Sequence, residues 1–152
     1  MTSQWSLSAE QFAAAWFGTG LDRLPFPFRF TSRFPGLHEY QLYQQRFRDE
    51  LAKDERIPLS RTITALARPD WRIELLGCDN TRDGVELRAI GCATRSGVGV
   101  IAQQEQAPDG GRVQLRRCRA EGGGGRGGGG ETRPPPGGRG ADEVEVGAET
   151  KP

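Results

Sequence analysis

Histidine and cysteine, the residues on which most protein metal sites depend, are scarce in this chain. His38 is the single histidine, so a metal site or proton relay built from several histidines is excluded. The three cysteines, Cys78, Cys92 and Cys118, are odd in number and show no C-x-x-C spacing. This pattern argues against a disulfide framework and a zinc site, and it fits a reducing compartment. We expect Cys78 and Cys92 to be buried, unreactive thiols.

The motifs that identify common enzymes are also missing. The sequence contains no G-x-S-x-G elbow, no phosphate-binding P-loop and no dinucleotide-binding glycine fingerprint. It therefore indicates no catalytic residue, no cofactor and no enzyme class. The first residues lack the regions of a secretory signal, and no apolar run approaches the roughly 20 residues of a membrane helix. We expect a soluble, cytoplasmic protein without a membrane partner.

An excess of charge of one sign is absent as well. The formal net charge is +1, and residues 120–152 carry four basic and six acidic side chains, which leaves +3 for residues 1–119. Neither segment is basic enough to indicate a nucleic acid as the main partner.

Large apolar side chains end abruptly along the chain. Beyond Leu115 there is no aromatic residue, leucine, isoleucine or methionine, and residues 120–152 are rich in glycine, arginine and proline around an acidic run. A segment of this composition buries too little apolar surface to offset its chain entropy. We therefore predict one folded domain at residues 1–119 and a disordered tail at residues 120–152.

Four runs of alternating side chains between residues 71 and 119 predict antiparallel β-strands, because apolar residues recur at every second position. These residues are Trp71, Ile73 and Leu75; Val85, Leu87 and Ala89, followed at the opposite parity by Ile90 and Cys92; Val98, Val100 and Ala102; and Val113 and Leu115. Polar, glycine-containing connectors at residues 79–84, 95–97 and 108–111 reverse the chain. We expect a meander with helices against its apolar face and water or a partner against its charged face.

The N-terminal residues predict a strand followed by a helix. Trp5 and Leu7 share one face of a short strand. Ser8 and Gln11 then have the spacing of a capping box, which predicts a helix over residues 9–17.

Two further helices are predicted before the meander. One runs from residue 37 to about residue 53, with apolar side chains three and four positions apart: Tyr40, Tyr43, Phe47 and Leu51. The other carries Leu59, Ile63 and Leu66 and ends before Pro69. Helices together with an antiparallel meander make an α+β fold.

Residues 24–30, which read Leu-Pro-Phe-Pro-Phe-Arg-Phe, cannot form a helix, because each proline lacks an amide donor and restricts the residue before it. We predict an extended edge strand with Phe26, Phe28 and Phe30 on one side. Three rings on one side could bind a ligand, but core packing is the commoner use.

Several segments in a fixed order carry a family resemblance. Trp5-Ser6-Leu7-Ser8 precedes the first helix, Trp16-Phe17 ends it, Leu24-Pro25-Phe26-Pro27-Phe28 follows, and Arg72-Ile73-Glu74-Leu75 enters the sheet after the third helix. This order resembles the EspG family, the cytosolic chaperones of actinobacterial type VII (ESX) secretion.

The resemblance implies an α+β fold with a central antiparallel sheet flanked by helices, and a function without catalysis. It implies binding of a PE–PPE-type secreted helical heterodimer at the apolar tip of the PPE partner, which keeps the substrate soluble. In the family the sheet and one hairpin loop contact the substrate. By position, the implied partner-binding residues are Asp79, Asn80, Thr81, Arg82 and Asp83 in the loop, and Arg72, Glu74, Glu86 and Arg88 on the charged strand face.

The resemblance stops near the end of the meander. Family members usually continue into a second subdomain that completes the sheet, whereas a Gly/Arg/Pro-rich tail follows here. The hypothesis that follows is a truncated or frameshifted family member containing the N-terminal half of the fold, and an inactive copy. Leu115 and its neighbours would then form an unpaired sheet edge.

Two other functions stay open at this point. One is a generic α+β interaction domain that forms a homodimer through its open sheet edge. The other is a small-molecule enzyme or ligand-sensing domain that uses the aromatic residues of the 24–30 segment, although no titratable cluster accompanies them.

Overall fold

The computed structural model describes residues 2–119, which form a five-stranded antiparallel sheet with three α-helices. In chain order the elements are β1 (Thr2–Leu7), α1 (Ala9–Phe17), α2 (Leu37–Leu51), one turn of 3₁₀-helix (Asp54–Arg56), α3 (Ile57–Ala67), β2 (Trp71–Asp79), β3 (Val85–Ala93), β4 (Val98–Gln104) and β5 (Val113–Arg119). This architecture confirms the predicted α+β fold. The tail predicted at residues 120–152 lies outside the described residues, so the division at residue 119 stays a prediction.

The strand order is β1-β5-β4-β3-β2, so β2 to β5 form the predicted meander and β1 joins it along β5. In that ladder Trp5 lies opposite Leu115, and Leu7 lies opposite Val113. The edges of the sheet are therefore β1 and β2. The expectation that Leu115 would lie at an unpaired edge is wrong, because β1 and β4 flank β5 and leave Leu115 only 1% exposed.

A hydrogen-bonded cap starts α1 where the sequence predicts it. The Ser8 amide donates to Oε1 of Gln11 (2.9 Å) and the Gln11 amide donates to Oγ of Ser8 (3.2 Å), which completes the capping box. One face of α1 then carries Phe12 and Trp16 into the core. The indole nitrogen of Trp16 donates to the carbonyl of Arg23 (2.6 Å), so its polar atom has a partner although the ring is buried.

One side of the sheet is covered by helices, and we call it the inner face; the opposite side is the outer face. The strands contribute a continuous set of buried residues to the inner face: Leu7, Ile90, Cys92, Val100, Ala102, Val113 and Leu115. From α3 they are met by Leu59, Ile63 and Leu66, which lie three and four positions apart as predicted. These residues and the aromatic face of α1 make a single core.

The prediction that helices cover the face of Trp71 and Ile73 is wrong. In the β2–β3 ladder Arg72 lies opposite Cys92 and Glu74 lies opposite Ile90. Residues opposite each other in an antiparallel ladder project to the same side of the sheet. Because Ile90 and Cys92 are buried on the inner face, the charged residues of β2 share that face and its alternating apolar residues lie on the outer one.

The predicted edge strand at residues 24–30 is also wrong, because this segment forms a turn and pairs with none of the five described strands. The amide of Phe28 donates to the carbonyl of Pro25 (2.8 Å), which closes the turn, and the Phe26–Pro27 peptide bond is cis. In this turn Phe28 is buried against Phe12, while Phe26 is 57% exposed. We call residues 24–30 the Pro–Phe segment.

The helix α2 lies at the periphery of the domain. None of its residues is fully buried, and the predicted apolar face of Tyr40, Tyr43, Phe47 and Leu51 is half-buried. The Tyr40 ring stacks on Phe30 with a centroid distance of 6.0 Å. This stacking, together with the hydrogen bond from Nε of Arg48 to the carbonyl of Ala14 in α1 (3.4 Å), holds the helix in place.

Candidate interaction surface

A groove of about 1120 Å³ opens at one end of the sheet, and we call it the hairpin groove. It lies between the β2–β3 hairpin, the end of β4, the β4–β5 connector and the end of the Pro–Phe segment. Five of the nine predicted partner-binding residues line it: Asp79, Arg82, Asp83, Glu86 and Arg88. The apolar side chains of Val85 and Leu87 contribute to the same surface.

Two buried polar side chains hold the Pro–Phe segment against this end of the sheet. Arg88 donates from Nη1 to the carbonyl of Pro27 (3.1 Å) and from Nε to Oε2 of Glu86 (3.0 Å). Gln104 accepts from the amide of Arg29 at Oε1 (2.8 Å) and donates from Nε2 to the carbonyl of Arg29 (2.6 Å). The Pro–Phe segment pairs with no described strand, so its backbone groups need hydrogen-bond partners from side chains. Arg88 and Gln104 supply them at this end of the inner face.

Two residues of this end of the sheet are not predicted from the sequence. The signal for Gln104 is a polar residue at the inner-face parity of β4, after Val100 and Ala102. Gly110 is predicted only as part of a connector, but a Cβ at this position would collide with the carbonyl of Arg29. The Pro–Phe segment can therefore approach the β4–β5 connector only because residue 110 is glycine.

Two carboxylates of the groove, those of Glu86 and Asp79, are stabilised in their ionised forms. The hydrogen bond from Arg88 lowers the pKa of Glu86, and the charges of Arg88 and Arg29 lower it further. Hydrogen bonds from the hydroxyl and the amide of Thr81 lower the pKa of Asp79. Ionised carboxylates beside guanidinium groups suit the groove to polar recognition of a partner.

The β2–β3 loop at the tip of the hairpin is accessible to a partner. Residues 80–83 are all exposed, and the Arg82 side chain is 81% exposed with its Nε 3.8 Å from Asp79. Asp83 (φ 52°) and Gly84 (φ 71°) adopt left-handed backbone conformations. Aspartate and glycine tolerate this region better than other residues, which explains the reversal at this point.

Arg72 and Glu74, the other two strand residues of the predicted site, lie away from the groove. Arg72 donates from Nη2 to the carbonyl of Leu66 (2.7 Å), and its guanidinium lies 5.9 Å from the ring centroid of Trp16. Its Nη1 lies 3.7 Å from Oε1 of Glu74. Arg72 therefore connects β2 to both α1 and α3. The nine predicted partner-binding residues do not form one continuous surface.

A second open surface, which overlaps the hairpin groove at Val85 and Leu87, consists of apolar side chains on the outer face, and we call it the outer patch. Its residues are between 37% and 72% exposed: Trp71, Ile73, Leu75, Val85, Leu87 and Ile101. Opposite the first three, β3 presents only the small residues Ala93, Gly91 and Ala89. Exposed apolar surfaces of this kind mark sites of interaction with other proteins.

Metal-binding groups and reactive thiols are two other kinds of candidate site. Among residues 2–119, no three His, Cys, Asp or Glu side chains are grouped so that they could hold a metal ion. Cys92 is buried, and this burial raises its pKa. The prediction of burial is wrong for Cys78, which lies near the loop end of the edge strand β2 and is exposed.

Within the part of the chain that the structure describes, no helix combines the length and the apolar character needed to cross a membrane.

A comparison with protein families identifies a family for this chain. The model of the EspG family matches residues 8–126, which is more than half of the chain. The matched region includes the hairpin groove and the outer patch. No curated protein matches the chain.

Proposed function

The chain belongs to the EspG family, and on this premise we propose that it binds a PE–PPE-type helical heterodimer and keeps it soluble for secretion. The family consists of ESX secretion-associated chaperones and not of enzymes. We place the action of this chain in the cytoplasm of an actinobacterium, before its substrate reaches the secretion machinery.

The observation that carries this proposal is the hairpin groove, which combines exposed apolar and charged side chains at an open end of the sheet. An exposed apolar helix tip is an aggregation hazard in water, and covering it requires an apolar surface of matching size. Val85 and Leu87 lie in the groove and are 44% and 37% exposed. Burying them against a substrate contributes roughly 25 cal/mol per Å² of apolar surface.

The charged residues of the groove have different parts in the proposal. Arg82 and Asp83, together with Asp79, Asn80 and Thr81, form the loop that contacts the substrate directly. Glu86 lies beside the apolar contact surface. Arg88 is buried and acts through the Pro–Phe segment that it positions.

The two remaining candidates lie on the inner face of β2. Arg72 and Glu74 are 28% and 37% exposed at their side chains, next to the edge of the sheet. We propose that they contact a partner at this edge and not in the groove.

Co-expression with a PE–PPE pair from the same genome, followed by size-exclusion chromatography, tests the proposal. The unaltered chain is expected to elute with the pair as a stoichiometric complex. Arg82→Glu is expected to weaken that complex at least tenfold, because it reverses an exposed charge at the proposed contact. Arg95→Glu is the matched control, because Arg95 is 83% exposed and paired with an aspartate in another turn of the sheet.

Two results would contradict this assignment. A chain that elutes apart from every pair would favour the inactive copy considered from the sequence. Equal loss of binding in both arginine variants would show that charge in general, and not the hairpin loop, matters.

A second candidate function is an interaction domain that self-associates through an open sheet edge. The position of β2 at the edge of the sheet formed by residues 2–119 favours it. Light scattering of the purified chain without any substrate tests this second candidate, because self-association alone produces a dimer under these conditions.

A further inference from the structure

We propose that β2 pairs antiparallel with β2 of a second copy of this chain, about a two-fold axis that passes through Ile73. The inference rests on the self-association candidate and gives it a definite surface and register. It does not require that the chain bind a secreted substrate.

The edge strand β2 has the features of a pairing surface. It is nine residues long, and within residues 2–119 it forms a ladder with β3 alone. Long edge strands are usually protected by proline, by a short length or by charged side chains, since their free backbone groups otherwise pair with another chain. The charged inner-face residues of β2, Arg72 and Glu74, have opposite signs, so they can pair with each other across two copies. Here Pro69 lies before the strand and leaves its whole length open.

Symmetry limits the possible registers. A two-fold axis perpendicular to the sheet keeps the outer side chains of both copies on the same side. Outer residues must then lie opposite outer residues, so the axis lies midway between one residue and the same residue of the second copy. With the axis at Glu74, two glutamates face each other, which is unfavourable. With the axis at Leu75 or Leu76, Glu74 faces an uncharged Leu76 or Cys78 of the second copy.

The axis at Ile73 gives matching partners on both faces. On the outer face Trp71 lies opposite Leu75 of the second copy, and Ile73 lies opposite itself. On the inner face Arg72 lies opposite Glu74 of the second copy, and this pair occurs twice. Aromatic–aliphatic and opposite-charge pairs are those that stabilise neighbouring antiparallel strands.

The apolar side chains concerned are exposed, and the charged ones are partly exposed beside the edge. Ile73 is 72% exposed and Trp71 is 59% exposed on the outer face. Arg72 is held by the carbonyl of Leu66 and lies 3.7 Å from Glu74, so little side-chain ordering remains to be done on association.

The other edge of the sheet offers no comparable surface. The apolar side chains of β1, Trp5 and Leu7, point to the core, and its outer face carries Thr2, Gln4 and Ser6. The proposal therefore concerns β2 alone.

Analytical ultracentrifugation of the chain over a wide range of concentrations tests the proposal. The unaltered chain is expected to show a concentration-dependent dimer. Ile73→Lys alone and Ile73→Glu alone are each expected to weaken the dimer at least tenfold, because each places two like charges opposite one another. An equimolar mixture of these two variants is expected to form a mixed dimer, since lysine then faces glutamate.

A matched control separates an effect at the β2 edge from a general effect of added charge. Ile101→Lys adds the same charge to the outer patch on β4, away from the edge, and is expected to leave the dimer unchanged. Thermal unfolding of each variant establishes that it is folded. Substrate co-elution of Ile73→Lys, measured separately, reports on the chaperone function and not on the dimer.

Three results would overturn the proposal: an unaltered chain that stays monomeric at every concentration, an Ile73→Lys variant that dimerises as well as Ile101→Lys, or a Lys–Glu mixture that does not associate. The last result would retain an edge contact but reject a two-fold axis at Ile73.

Discussion

The inner and outer faces of the sheet carry apolar side chains at the same spacing, yet within residues 2–119 helices cover only the inner face. Ile90 on the inner face of β3 is fully buried, whereas Ile73 on the outer face of β2 is 72% exposed. The difference arises because α1 and α3 both pack on the inner face, and the outer face has no layer above it within residues 2–119. Such a face suits a member of a chaperone family, since an exposed apolar surface can bind a partner protein.

The largest expected effect compares the same substitution on the two faces. Ile90→Ala is expected to lower the free energy of unfolding by about 3 kcal/mol, because it removes buried methyl groups and leaves a cavity. Ile73→Ala is expected to change it by less than about 0.5 kcal/mol, as is usual for exposed positions. Urea unfolding of both variants, below the concentration at which dimers form, measures the difference. Similar losses in the two variants would show that the outer face is covered in solution.

An intermediate effect is expected at the polar end of the inner face. Gln104→Ala removes both hydrogen bonds to Arg29 and leaves backbone groups without partners, so we expect a loss of about 1 to 2 kcal/mol. The neighbouring Gln103→Ala is the control, because Gln103 is exposed on the outer face. Urea midpoints of the pair are the measurement. An unchanged midpoint for Gln104→Ala would mean that this side chain does not hold the Pro–Phe segment.

The smallest effect concerns the ion pair between Glu86 and Arg88. Because the folded protein lowers the pKa of Glu86 below its ordinary value of 4.5, the ionised carboxylate stabilises the fold above that pH. This contribution is lost as the pH falls through the lowered pKa. Between neutral pH and about pH 3.5, the free energy of unfolding of Glu86→Gln should therefore fall less than that of the unaltered chain. Added salt should make this difference smaller. Parallel urea titrations at the two pH values provide the test, and identical losses would argue against the ion pair.

The sequence predicts the elements of this fold better than their arrangement. The capping box at Ser8, the third helix and all four strands of the meander follow from local patterns and are confirmed. Alternation, however, defines two faces without saying which one the helices cover. In β3 the parity changes between Ala89 and Ile90, and the buried residues are those after the change.

The candidate site is predictable only in part for a related reason. The hairpin loop is a local feature, so its residues can be named from position in the chain. The groove beside it depends on Arg88 and Gln104 binding a segment more than sixty residues earlier in the chain. Contacts between residues so far apart in the chain produce no periodic pattern in the sequence. In that segment the alternating phenylalanines suggest an extended strand, whereas its two prolines are equally compatible with the turn that forms.

Amide hydrogen exchange of the chain, alone and in complex with a co-expressed PE–PPE pair, tests most directly whether a substrate binds at the open hairpin end of the sheet. Binding there predicts slower exchange in the β2–β3 loop and at Val85 and Leu87, with unchanged exchange in β1 at the far edge. Protection confined to β1 or to α2, with an unaffected hairpin, would contradict it.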